Sequence, residues 1–280
     1  MNFGNNFKIT SILIIIIVII LTFIFNFPKK VNPKYNLKLI ELLKNKEFKF
    51  IAHAAGGIDD RTYTNSLEAI NNSIKNGFKL IEIDLYETKD KIFVGVHDWK
   101  GFKKKANLEI INKDELDYSE FKDIKLYKKY TPLDIEKINT IFQKNKDLFL
   151  VTDKTQNFEK IINDFKFDKK RILVEIFGKK NFYKSVKKGI LNPIYSFNHK
   201  DYDFVISNNI KIVAAHTEDI IKNPEIYKTL IKNDIFVFAY TSNNENFIKK
   251  NLDINFTNIY TDFWNISKMK CTSSKNCVTY

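Results

Sequence analysis

The chain has 280 residues, 44% hydrophobic and 28% charged, a globular balance that allows one large domain or two small ones. Its formal net charge is +13, yet arginine occurs only at Arg61 and Arg171, so the surplus is lysine spread through a Lys-, Asn- and Ile-rich composition. That spread reads either as a general compositional bias or as a surface facing anionic membranes or substrates; with no zinc-finger spacing, no RNA-recognition aromatic pattern and no basic helix before heptads, nucleic acid is not expected as a partner.

From the N-terminus, residues 9–27 are almost all Ile, Leu, Val and Phe. About nineteen residues at about 1.5 Å each reach nearly 30 Å, the thickness of a bilayer's hydrocarbon core. The exit FIFNFPKK has no small-residue cleavage site, so the run is expected to be an uncleaved single-span anchor within residues 1–30. Lys29, Lys30, Lys34 and Lys38 lie on the far side, against Lys8 on the near side. Counted alone, these charges favour a cytoplasmic domain; the cysteines described below and the resemblance that follows favour an extracytoplasmic one, which is the expectation adopted. A stiff Pro28–Pro33 exit leads into residues 31–47, a linker with an amphipathic helix over 35–46.

From residue 48 to 266 the pattern alternates. Short β-rich runs at 48–53, 79–85, 92–97, 148–153, 171–177, 193–197, 210–215, 235–241 and 258–262 are separated mostly by amphipathic stretches at 66–76, 134–145, 158–165, 181–188, 201–208, 224–232 and 244–251. Such alternation predicts a parallel sheet with crossover helices, an α/β fold best matched by a (β/α)8 TIM barrel. An open doubly wound sheet is the alternative, without a Gly-x-Gly-x-x-Gly run after the first strand to support it. Only YETKDK separates the second and third runs, too little for a helix. The long loop 99–130 is a candidate lid or substrate contact. Thr131, Pro132 and Asp134 predict a helix start with Thr131 as N-cap. Residues 267–280 form a C-terminal tail, where Cys271 and Cys277 enclose TSSKN and are either disulfide-bonded or free.

The chemistry concentrates between residues 51 and 98. In IEIDL, Glu82 and Asp84 share one face of a strand, opposite Ile81, Ile83 and Leu85. Two carboxylates side by side on a core-like strand are costly unless they bind a cation or share protons, and oxygen ligands suit Ca2+ or Mg2+. His53 and His97 each end an apolar run and are candidates for acid/base work near neutral pH. His199 and His216 are expected to be bystanders, with His216 ending a strand where it can line the rim.

An ordered set of motifs accompanies them: His53 with a following glycine turn, Asn65-Ser66, Glu82-x-Asp84, Thr88-x-Asp90, His97-Asp98, Thr131-Pro132-Leu133, Tyr240-Thr241-Ser242-Asn243 and Thr261-Asp262-Phe263. Over about residues 48–264 this set resembles the glycerophosphodiester phosphodiesterase family. The resemblance implies a (β/α)8 barrel, a divalent cation and two histidines. It makes His53 and His97 the acid/base pair and Glu82 and Asp84 metal ligands. The third ligand, a Glu in the family, falls in Leu150-Val151-Thr152-Asp153-Lys154, with Asp153 as ligand and Lys154 as phosphate contact, or Thr152 in strict register with Glu175 compensating. Asn65, Glu175 and Tyr240 are further substrate-binding candidates. The family's His-Arg-Gly is His53-Ala54-Ala55-Gly56 here, without the arginine, whose charge would come from Arg61, Lys154 or Lys100. The implied function is a membrane-anchored, metal-dependent phosphodiesterase acting on glycerophosphodiesters or lipid headgroups, with linear or cyclic product. A non-catalytic tethered barrel that binds anionic lipids or polymers is the alternative.

Overall fold

The computed structural model describes residues 31–109 and 113–277. From Asn32 onward they form one unit. Its strands are β1 (Phe50–Ala52), β2 (Leu80–Glu87), β3 (Phe93–Gly95), β4 (Phe149–Asp153), β5 (Ile172–Ile176), β6 (Pro193–Ser196), β7 (Ile212–His216), β8 (Phe236–Tyr240) and β9 (Asn258–Thr261). All but β3 pair in parallel in the order β1-β2-β4-β5-β6-β7-β8-β9, and β9 returns to β1. This closes an eight-stranded parallel barrel and excludes the open sheet.

Side-chain alternation explains what fills it. Ile51, Leu80, Val151, Leu173, Ile194, Ile212, Ala214, Phe236, Phe238 and Tyr260 point inward and form one apolar cluster. The opposite faces, including Ile81, Ile83 and Leu85 of β2, pack against the surrounding helices in a second and larger core. The floor of the barrel is sealed by helix α1 (Leu37–Leu42) and the turn after it, whose Leu39, Leu43 and Phe48 join the interior cluster. Asn36 caps α1 and ties it down: its backbone N–H donates to Asn192 Oδ1 at 2.9 Å and its side chain to Lys170 O at 3.1 Å.

The remaining helices are α2 (Leu67–Lys75), α3 (Trp99–Lys105), α4 (Tyr118–Phe121), α5 (Ile135–Lys144), α6 (Phe158–Asp164), α7 (Lys179–Lys187), α8 (Tyr202–Ser207), α9 (Thr217–Lys222), α10 (Pro224–Lys232) and α11 (Glu245–Asn251). Three details differ from the sequence expectations. The run at 92–97 is no barrel strand: of YETKDK, Tyr86 and Glu87 extend β2 and residues 88–91 make a tight turn, so β3 folds back antiparallel on the protruding end of β2, pairing Leu85 with Gly95 and Glu87 with Phe93. The 99–130 loop contains α3 and α4, which enclose their own small core of Trp99, Phe102, Leu116, Phe121 and Leu126 against Val94 and Val96. Helix α5 begins at Ile135 with Asp134 as its cap, accepting from Lys137 N at 2.9 Å. Thr131 lies three residues ahead of that cap; its N–H and hydroxyl donate to the Glu68 carboxylate, at 2.8 and 2.9 Å, and its hydroxyl accepts from Lys125 Nζ at 2.6 Å.

The C-terminal segment is docked rather than loose. Trp264 is buried and stacks on Phe50 at 4.6 Å, a short antiparallel pair joins Trp264–Asn265 to Lys270–Cys271, and Cys271 is bonded to Cys277. Ser273, Ser274 and Asn276 of the disulfide loop all donate to Asp60. The apolar run at 9–27 lies outside the described residues. Among the described residues no helix is long and apolar enough to cross a membrane.

Candidate active site

Continuing each inward-facing row by two residues turns an apolar interior into a polar one. Leu80 is followed by Glu82 and Asp84, Val151 by Asp153, Leu173 by Glu175, Ala214 by His216, Phe238 by Tyr240 and Tyr260 by Asp262. The change happens at the C-terminal ends of the strands, the end at which barrels of this kind place their chemistry. The result is a cleft of about 400 Å³ lined by His53, Glu82, Asp84, His97, Asp153 and Lys154, with Tyr63, Glu175, Phe177, His216, Tyr240, Thr241 and Tyr260 around them.

Glu82, Asp84 and Asp153 converge, each offering an oxygen within 4.8 Å of the others. The sheet register explains why Asp153 and not Thr152 joins the pair. Asp84 is opposite Asp153, whereas Thr152 is opposite Ile83, faces the helix layer and donates its hydroxyl to Ile83 O at 2.9 Å. The carboxylates are held from behind. Ala54 N–H donates to Glu82 Oε2 at 2.6 Å, and Asn65 Nδ2 donates to Asp84 Oδ2 at 2.8 Å while its carbonyl accepts from Asp84 N at 3.1 Å. Asn65 is thereby spent on Asp84 and does not line the cleft, contrary to its candidacy as a substrate contact.

The Ala54 donor depends on an unusual turn. Ala54, Ala55 and Gly56 have φ of 48°, 69° and 90°, and at Gly56 a Cβ would meet Ser73 Oγ at 2.0 Å. Left-handed alanines each cost about 1 kcal/mol or more, a strain that native structures tolerate chiefly at functional sites.

The charge state of the trio is the main electrostatic feature. Burial, followed by the neighbouring Asp84 and Asp153 charges, raises the Glu82 carboxyl well above its ordinary value. Burial and Asp84 push Asp153 up to about 6, with Lys154 opposing. Burial pushes Glu175 up to about 8. Glu82 Oε1 and Asp153 Oδ1 are buried without a hydrogen-bond partner. Three crowded carboxylates with two uncompensated oxygens fit an oxygen-liganded divalent cation. Lys154, at φ +61°, brings Nζ to 3.3 Å from Asp153 and 3.8 Å from Asp84.

The histidines flank the trio. His53 follows β1, and its Nδ1 is 3.0 Å from Asp262 Oδ1. Asp262 is fixed in turn by Asn243, whose Nδ2 donates to Oδ2 at 2.7 Å and whose carbonyl accepts from Asp262 N at 2.8 Å. Burial pulls the His53 pKa down, but the Asp262 hydrogen bond and the charges of Asp262, Asp84 and Asp153 outweigh it and leave it raised. His97 follows β3 and has Nδ1 3.1 Å from Asp98 Oδ2. Asp98 also caps α3, accepting from Gly101 N at 2.6 Å.

Several residues here were not singled out from the sequence. Asp262 lay within a quoted motif but without a role, although its position two beyond Tyr260 on the inward face was readable. Tyr63, Phe177 and Tyr260 carried no sequence signal. His216, expected to be a bystander able to line the rim, does line the cleft, whereas His199 pairs with Asp219 at 2.9 Å outside it. Of the suggested substitutes for the missing arginine, Lys154 alone lines the cleft. Arg61 stacks over the Tyr127 ring at 3.8 Å, and Lys100 lies on α3.

Comparison with known proteins agrees with this geometry. The chain's fold is similar to glycerophosphodiester phosphodiesterases from Parabacteroides distasonis (TM-score 0.60, 16% identity, covering 76% of this chain and 92% of that one) and Thermotoga maritima (TM-score 0.58, 19% identity, 76% and 94%). It is similar also to a phosphodiesterase from Oleispira antarctica in complex with the product sn-glycerol-3-phosphate (TM-score 0.56, 17% identity, 78% and 94%). At these identities the likeness is one of fold. A search of curated proteins finds no match. The profile of the glycerophosphoryl diester phosphodiesterase family matches residues 56–200, more than half of the chain and most of the residues just described. The chain therefore belongs to the glycerophosphoryl diester phosphodiesterase family, and its activity is that of a phosphoric diester hydrolase.

Proposed function

We propose that the chain is a divalent-cation-dependent glycerophosphodiesterase in which Glu82, Asp84 and Asp153 hold Ca2+ or Mg2+ and His53 and His97 are the acid/base pair. The single observation that carries this reading is the meeting of three carboxylates, two of them with an uncompensated oxygen, between two carboxylate-paired histidines. A bound divalent cation would offset the charge on the non-bridging phosphate oxygens. Lys154 adds a cation on the same side and orients the phosphate in place of the absent arginine. With Nδ1 of each imidazole engaged by a carboxylate, Nε2 is left to work. His53 takes the proton from the attacking water, and Asp262 stabilises the imidazolium that forms. His97 gives its proton to the leaving alkoxide, with Asp98 keeping the ring in place. Tyr240 and Glu175 form the far wall and contact the alcohol side of the substrate. The product complex of the Oleispira antarctica protein supports glycerophosphodiesters, or lipid headgroups built on them, as the substrate class.

The apolar run at 9–27 supports a single-pass membrane anchor, and the Cys271–Cys277 disulfide supports an extracytoplasmic catalytic domain. The test is activity on glycerophosphoethanolamine with Mg2+ or Ca2+. EDTA abolishes it, and His53→Ala and His97→Ala each lower kcat by roughly 100-fold or more. Full activity in both variants would sink the histidine roles. Phosphorus NMR of the product distinguishes a linear from a cyclic ester, and thiol labelling of intact, reduced cells reports the side of the membrane.

A further inference from the structure

The segment between the glycine turn and α2 sets one aromatic ring between the two histidines. Tyr63 meets His53 edge-to-face at 4.5 Å (80°) and His97 at 4.9 Å (78°). His97 has need of such a neighbour. Its side chain is 37% exposed and its Asp98 partner 53% exposed, so a single surface hydrogen bond otherwise fixes the ring. Tyr63 is itself 37% exposed, so burial alone does not account for its position.

Its backbone is strained, at φ +54°, a conformation that costs a non-glycine residue about 1–2 kcal/mol. It is held from both sides. Asn65, two residues on, is locked to Asp84, and Lys105 of α3 donates Nζ to Tyr63 O at 2.6 Å. Helix α3 is the helix that Asp98 caps. One short helix of the 99–130 segment therefore steadies both His97, through Asp98, and Tyr63, through Lys105.

We propose that Tyr63 is a positioning residue whose ring is a wedge fixing the planes of the His53 and His97 imidazoles. The proposal rests on the acid/base roles given to those histidines above. The ring, not the hydroxyl, does the holding, because both contacts are ring contacts. Misplacing a catalytic group by an ångström costs up to about 100-fold in rate, and loss of the wedge leaves part of the restraint in place, so a smaller loss is expected.

The test uses the full-length protein, with bis(4-nitrophenyl) phosphate and glycerophosphoethanolamine as substrates. Tyr63→Leu lowers kcat about ten-fold while KM stays within about two-fold, and Tyr63→Phe restores kcat to within about two-fold of wild type. Lys105→Met, which releases the strained backbone from outside the cleft, lowers kcat in the same direction by less. In the metal-free protein, NMR of the histidine ring C–H groups shows the His97 signals displaced and broadened in Tyr63→Leu and Lys105→Met and unchanged in Tyr63→Phe. Wild-type kcat in Tyr63→Leu, or a loss in Tyr63→Phe as large as in Tyr63→Leu, would overturn the wedge. The NMR measurement needs no turnover, so unmoved His97 signals in Tyr63→Leu overturn it even if the wild-type protein proves inactive. Inactivity itself counts against the histidine roles instead. If Tyr63→Leu does not fold, Lys105→Met carries the same comparison.

Discussion

At the residue scale, a one-position difference decides the acidic site. The sequence favours Asp153 as the third ligand yet puts Thr152 there in strict register, because strand pairing is not visible in one strand alone. The structure pairs Asp84 with Asp153 and turns Thr152 outward. Asp153→Asn is therefore expected to weaken Mg2+ or Ca2+ binding roughly 100-fold by calorimetry, since cation affinity follows ligand charge. Thr152→Val is expected to lower Tm and leave the cation affinity within about two-fold, because it touches backbone rather than cleft. Asp262 permits a second prediction. Its hydrogen bond and charge raise the His53 pKa against burial, so Asp262→Asn lowers it. If His53 works unprotonated, the acidic limb of the pH–rate profile moves to lower pH. If it works protonated, the alkaline limb moves to lower pH. A shift of the affected limb to higher pH contradicts this account. Tyr63 could not be found by reading, because its placement depends on a left-handed backbone and on a lysine 42 positions away.

At the element scale, legibility followed periodicity. All nine β-rich runs are strands, and the amphipathic stretches between them are helices. What was hidden had weak or misleading local signals. α3 reads WKGFKKK, with a glycine inside and only two apolar residues on one face, and it forms because Asp98 caps it and Trp99 and Phe102 find Phe121. β3 looked like a barrel strand because its composition is the same as one. Only its antiparallel pairing with the overhanging end of β2 keeps it out of the ring. α1 looked like an ordinary amphipathic helix, yet its apolar face is the barrel floor. Leu39→Ala leaves a cavity among Leu43, Phe48 and the inward strand residues. It is expected to cost about 2–5 kcal/mol in urea unfolding, without changing the substrate KM of the folded enzyme.

At the scale of the whole molecule, the disulfide loop ties the end of the chain to the turn between β1 and α2 through Asp60. The bond closes only a few residues, so in the loop-entropy picture its loss costs about 2 kcal/mol. Cys271→Ser/Cys277→Ser is expected to lower Tm by a few degrees and to leave kcat nearly unchanged, since no residue of that loop lines the cleft. A larger fall in kcat than in stability would place the loop in the chemistry. The sealed floor has a consequence of a different kind. With Leu39, Leu43 and Phe48 closing one end and apolar side chains filling the barrel, the cleft opens at the C-terminal ends of the strands among the described residues. Whatever enters must back out the same way, so the two halves of the cleaved diester queue for one exit. On the role proposed for Lys154 as the phosphate contact, the phosphorylated half leaves last. Glycerol 3-phosphate is therefore expected to inhibit competitively against the diester, while the free alcohol inhibits only weakly, a pattern that initial-rate measurements with each added product can read directly.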